Sequence, residues 1–194
     1  MHGFFYAYAK NGLPQKIASE GSRYFPVLSE FGFGSCLPKG AGETFGSSGM
    51  ELNGPDSLIL GSPMDQRASL YGDPSPFGYA TVSVDRNAGE ISVGRDQMGI
   101  TPAYYYCDSE TLLVSNFQSP IVEFLKLAGK ELTIDRQSFY EGFSFKTTPP
   151  DRTLFESIIP VPFGSVSKFS VSGNGEVSFV GSEKEFPIDF TPHG

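Results

Sequence analysis

The chain has 194 residues, 39% of them hydrophobic, a length and composition that suit one domain with its own core. Its net charge of -8 at pH 7, with 14 scattered Lys and Arg residues, excludes the clustered basic surface that nucleic acids require. Two cysteines, Cys36 and Cys107, point to reduced thiols in a cytoplasmic protein rather than a disulfide framework. No apolar run approaches the roughly 18 residues of a membrane helix.

The 18 Phe and 9 Tyr beside 23 Gly and 15 Pro favour strands and turns over long helices. In chain order, the aromatic run 3–9, closed by Asn11-Gly12, predicts an N-terminal strand. Residues 23–31 are a candidate second strand, and the Gly- and Ser-rich stretch 31–48 is read as loop. Residues 57–60 have the length and flanking prolines of a buried strand. Residues 77–85 and 90–95, joined through Arg86, Asn87, Ala88 and Gly89, form a hairpin pattern; 102–107 and 111–115 repeat it, so that four successive strands read as a meander. A helix is predicted over 119–127, with Ser119 as cap and Gly129 as terminator, and another over 135–143 capped by Asp135. Past Pro150, residues 153–159, 165–171 and 176–180 read as strands, the last two joined at the turn 172–175.

The order and spacing of Phe77-Gly78-Tyr79-Ala80, Asp85, and the run from Val93 through Arg95, Asp96, Gly99 and Pro102 to Tyr105 resemble a long signature of asparagine synthetases and their class II glutamine amidotransferase domains. Leu113-Val114-Ser115-Asn116 is similar to the family's strand before a helix, and the run from Arg152 to Gly164 to its later Arg-Thr-Ile-Phe and Pro-x-Gly segments. The resemblance covers about residues 57–180. It implies an α+β fold of the N-terminal-nucleophile hydrolase kind, a sandwich of two antiparallel sheets with helices outside, and leaves room for one helical layer to be reduced. Residues 1–185 then form the glutaminase-like domain and 186–194 a linker or tail.

Within that signature, Arg95, Asp96, Gly99 and Pro102 are read as a structural motif: a loop carboxylate satisfying turn amides, a paired arginine, and a glycine and proline that tighten the connection. The catalytic pattern of the family breaks elsewhere. An active class II glutaminase begins Met-Cys-Gly and attacks its substrate with the thiolate exposed when methionine is removed. This chain begins Met1-His2-Gly3, with an imidazole at the nucleophile position. The family's oxyanion-hole Asn and Gly align with Leu60 and Gly61, and leucine donates nothing there. The glutamine-holding arginine has no counterpart in residues 20–56. The substrate-reading Gly-x-Asp segment and its accompanying helix have none between Asp65 and Phe77.

No catalytic residue, cofactor or metal is therefore expected; His2 and His193 sit at opposite ends of the chain without a ligand cluster. The expected partner is an asparagine-synthetase-like synthetase domain, downstream in the same chain or separate, as in β-lactam synthetases and lasso-peptide cyclases, whose glutaminase halves also lack the nucleophile. Neither nucleic acid nor membrane is expected as a partner. The rivals are an amidotransferase or other hydrolase with a site rebuilt around His2 or Cys36, and a free-standing binding module.

Overall fold

The structure is a computed structural model that describes residues 5–10, 34–35, 50–52, 57–61, 78–85, 87–146 and 149–184. In chain order its strands are β1 (Phe5–Ala9), β2 (Gly34–Ser35), β3 (Met50–Leu52), β4 (Ser57–Gly61), β5 (Tyr79–Asp85), β6 (Glu90–Arg95), β7 (Tyr104–Cys107) and β8 (Thr111–Ser115). The helices α1 (Gln118–Leu127) and α2 (Arg136–Phe145) follow, then β9 (Ile159–Pro160), β10 (Ser165–Val171) and β11 (Val177–Lys184). The strands make two sheets, one ordered β2-β1-β8-β7-β9 and the other β11-β10-β6-β5-β4-β3. All pairings are antiparallel except that of β1 with β2. This is an α+β sandwich, as the resemblance implies.

Alternation along the strands builds two cores. Tyr6, Leu112, Val114 and Tyr105 of the first sheet face Val82, Ile91, Val93 and Phe169 of the second. The intervening residues Phe5, Ala7 and Leu113 point the other way, onto Ile121, Phe124 and Leu125 of α1. Every residue of β8 is buried because it serves both layers at once. Burying a side chain such as Phe124 or Phe169 contributes about 1.5–3 kcal/mol each.

The four strands β5 to β8 are not one meander. They are two hairpins in different sheets, because residues 96–103 carry the chain from the end of β6 across to β7. Residues 153–159 do not form the predicted strand either. The Thr153 hydroxyl bonds the carbonyls of Phe155 and Ile158 and accepts the Phe155 amide, which curls the segment and leaves a lone bridge, Ile134 to Phe155, before β9.

Helix α1 starts one residue before the predicted range, and Ser119 lies inside it. The Phe117 N-cap has no side-chain partner there, while Ser115 Oγ accepts the Phe117 amide. Its end is as predicted: Gly129 at φ 70° donates to Lys126 and Lys130 donates to Leu125, a Schellman closure. Asp135 caps α2 by accepting the Ser138 amide at 2.6 Å. Strand β11 runs further than predicted and carries a bulge at Val180 that breaks its register on β10. The candidate strand 23–31, and the missing helix between Asp65 and Phe77, fall outside the described residues, and within 31–48 the described pair Gly34–Ser35 is a strand.

Candidate functional site

Register places the sequence-derived positions at one end of the sandwich. In the second sheet Leu60 pairs Ala80, Ala80 pairs Arg95, and Arg95 pairs Ser165; Gly61, one residue on, pairs Tyr79. In the first sheet the opening residue of β1, Phe5, pairs Ser115, which pairs Tyr104, which pairs Pro160. The chain crosses between these two rows twice, through residues 96–103 and through residues 161–164. His2 and Gly3 precede Phe5 and lie outside the described residues.

Arg95 and Asp96 tie both crossings together. The wholly buried Asp96 carboxylate accepts the amides of Met98 and Ile100 on Oδ1, at 3.0 and 3.1 Å, and that of Thr101 on Oδ2, at 3.0 Å. Its backbone carbonyl accepts Gly99 from its own loop and Gly164 from the other crossing, and its amide donates to Tyr79. The Arg95 guanidinium donates to the carbonyls of Thr101, Gly99 and Val161 and stacks on the Phe163 ring, 4.4 Å from its centroid. Burial lowers the pKa of Arg95 from its ordinary value, against the opposing fields of Tyr104 and Asp96. The two side chains act on the loop in parallel, and the described residues show no ion pair between them. Gly99 sits at φ 63°, and Pro102 leads into Ala103, whose carbonyl accepts the Val161 amide.

The partner segment, Val161, Phe163 and Gly164, lies in the run that carries the resemblance, and nothing in its sequence marks it as the seat of Arg95. What the sequence does signal there is a turn at Gly164, a glycine two residues after a proline, which the structure holds at φ 59°.

A second polar cluster, which sequence reasoning did not single out, lies at the opposite end of β7. The Asp108 carboxylate accepts Lys130 Nζ, the Tyr106 hydroxyl at 2.6 Å, and the amides of Glu110 and Thr111. Burial alone would raise its pKa, but the bonds from Lys130, Tyr106 and Glu110 outweigh that and hold it below the ordinary value. A depressed carboxylate stabilises the fold above its unfolded pKa of about 3.9 and loses that contribution as pH falls through the folded value. Asp108→Ala is thus expected to melt below the wild type at pH 7, with the gap closing below about pH 4; melting curves across that range check it. Beside it the Cys107 thiol is half-buried and pushed up to about 11, chiefly by desolvation and then by Asp108, so it stays protonated and a poor nucleophile at neutral pH.

Two antiparallel-rich sheets packed face to face, a helix on the outer face of the first, and buried Arg95 and Asp96 holding the crossing end define an α+β sandwich. The chain belongs to the glutamine amidotransferase domain family, whose model matches residues 77–180, more than half of the 194. That match contains the whole Arg95 to Pro102 loop and its partner segment. No curated protein matches the chain. Among the described residues no group of His, Cys, Asp and Glu is arranged to hold a metal ion, and no helix is long and apolar enough to cross a membrane.

Proposed function

We propose that this member of the glutamine amidotransferase family is catalytically degenerate and serves as a structural or docking domain for an asparagine-synthetase-like, ATP-dependent amide-forming ligase. The observation that carries the loss of catalysis is His2, which stands where the resemblance calls for the cysteine nucleophile. An imidazole can take a proton, but an acyl-imidazole forms poorly from an unactivated amide. Leu60 at the oxyanion-hole position and the silent Cys107 thiol agree with that reading. Arg95 and Asp96 supply no replacement, since their polar atoms are engaged in holding the two crossings, and we assign them, with Gly99 and Pro102, to the fold rather than to chemistry.

The docking half of the proposal draws support from α2. Phe139, Tyr140, Phe143 and Phe145 are exposed by 42% to 75%, and only Ser138 of that helix is buried. Phe139 packs edge to face on Phe143 at 4.9 Å and on Tyr140 at 6.0 Å, so these three rings form one cluster on the helix. Exposed aromatics grouped in this way mark interaction surfaces, whereas single ones do not.

The purified chain is expected to release no ammonia from glutamine and to gain no mass from an electrophilic glutamine analogue. An adduct on His2, Cys36 or any other residue, prevented by excess glutamine, overturns the degenerate reading in favour of a rebuilt hydrolase. In the same preparation, mixed with a separately expressed synthetase domain, Phe143→Asp is expected to abolish co-elution. Retained co-elution removes α2 as the docking face.

A further inference from the structure

Helix α2 packs with its polar side inward. Ser138 is buried and Glu141 buries its Oε2 atom, while Phe139, Tyr140 and Phe143 stand on the opposite side, exposed by 42%, 69% and 75%. The start of the helix fixes this orientation. Asp135 caps it, the Asp135 amide donates to the Leu154 carbonyl, and Ile134 bridges Phe155, so the rings cannot turn inward without breaking these bonds.

The size of the face fits a weak pairing with its own kind. With these exposures the three rings leave about 400 Å² uncovered on each copy of the chain. Pairing two such faces removes about 800 Å² from water, and the stems of Arg136 and Lys146 beside them bring the contact to about 1,000 Å². Specific interfaces begin near that value, and permanent dimers exceed about 2,000 Å².

The face is also self-complementary. Phe139 and Phe143 are equally spaced about Glu141, so an antiparallel two-fold pair centred there sets Phe139 of one copy against Phe143 of the other. The same two rings already meet edge to face within α2. Gly142 leaves room for the backbones to approach, because nothing lies within 4 Å of where its Cβ would stand.

We infer that α2 pairs with α2 of a second copy of this chain, a weak two-fold dimer that covers the docking face until a partner displaces it. The covering role rests on the docking proposed above for α2; the pairing itself does not. Charge gives the pairing a signature. Arg136 and Lys146 flank the rings and Glu141 is turned inward, so antiparallel pairing brings Arg136 of one copy toward Lys146 of the other at both ends. Salt screens that repulsion, and the repulsion between two chains of net charge -8, so the dimer tightens as salt is added.

Sedimentation velocity of the full chain over about 1–300 μM tests this. The mass is expected to rise with concentration from 21.0 kDa toward twice that value. The dissociation constant should fall about threefold or more between about 50 and 500 mM NaCl. Phe143→Asp and, separately, Tyr140→Asp should weaken the pairing about tenfold or more with unchanged circular dichroism, since both side chains stand in solvent. A monomer throughout the range overturns the inference and leaves the docking of α2 standing. A dimer indifferent to both substitutions, or one that loosens with salt, overturns it as well. A dimer lost in Phe143→Asp while co-elution with the synthetase domain is retained upholds the pairing and overturns the covering role.

Discussion

Gly99→Val is expected to lower the melting temperature by about 5–15 °C, the shift that about 2–4 kcal/mol produces in a chain of this size. Two causes add. At φ 63° a side chain with a Cβ costs about 1–2 kcal/mol, and β-branching makes the left-handed region worse still. The new Cβ also meets Phe163 Cε1 at 2.5 Å and Cδ1 at 2.6 Å, so the ring has to leave and gives up its stacking on Arg95. A cycle separates these terms. In a Phe163→Ala background Gly99→Ala should cost only the backbone term, and in the wild type it should cost that term plus the displaced stack. Equal costs in both backgrounds would assign the whole effect to the backbone, and no cost in either would contradict the loop geometry described above.

The hairpins were legible because each is closed by residues that act locally. Asp85 Oδ1 accepts the amides of Asn87 and Ala88, Gly89 takes φ 65°, and the Ser172 to Gly175 turn bonds within itself. The same locality made Asp135 and Gly129 readable as helix ends. What alternation does not encode is the sheet to which a strand belongs. Strands β6 and β7 have the same period on either side of Asp96, and only the loop between them decides that one stays in the second sheet and the other crosses to the first. Thr153 misled for a related reason: its alternating neighbours look like a strand, while its hydroxyl takes the carbonyls that would have pointed to a ladder.

The candidate site was legible in a different measure. Asp96 was readable as an acceptor of loop amides because those amides follow within five residues. Arg95 was expected to pair with a carboxylate, and instead its partners are carbonyls, one of them 66 residues away. Nothing in the neighbourhood of position 95 announces Val161 or Phe163.

Asp96→Ala is expected to cost about 2–4 kcal/mol, among the largest single-residue effects in the described part of the chain. The carboxylate is fully buried and accepts three amides, and alanine leaves all three without that acceptor. Met98 and Ile100 are exposed enough for solvent to reach part of the loop, which keeps the cost below the sum of three buried losses. Asp96→Asn distinguishes charge from shape. It keeps one acceptor oxygen, but its amide nitrogen faces either the Thr101 amide or the Met98 and Ile100 pair, donor against donor, so it should recover only part of the lost stability. Denaturant unfolding of the three proteins measures the differences, and hydrogen exchange at Thr101 should rise in both variants if the carboxylate organises this loop. Wild-type melting in Asp96→Ala would mean that the crossing is held by Arg95 and the backbone bonds alone. In that case the Asp96 carboxylate becomes the first buried group to examine for a role in binding.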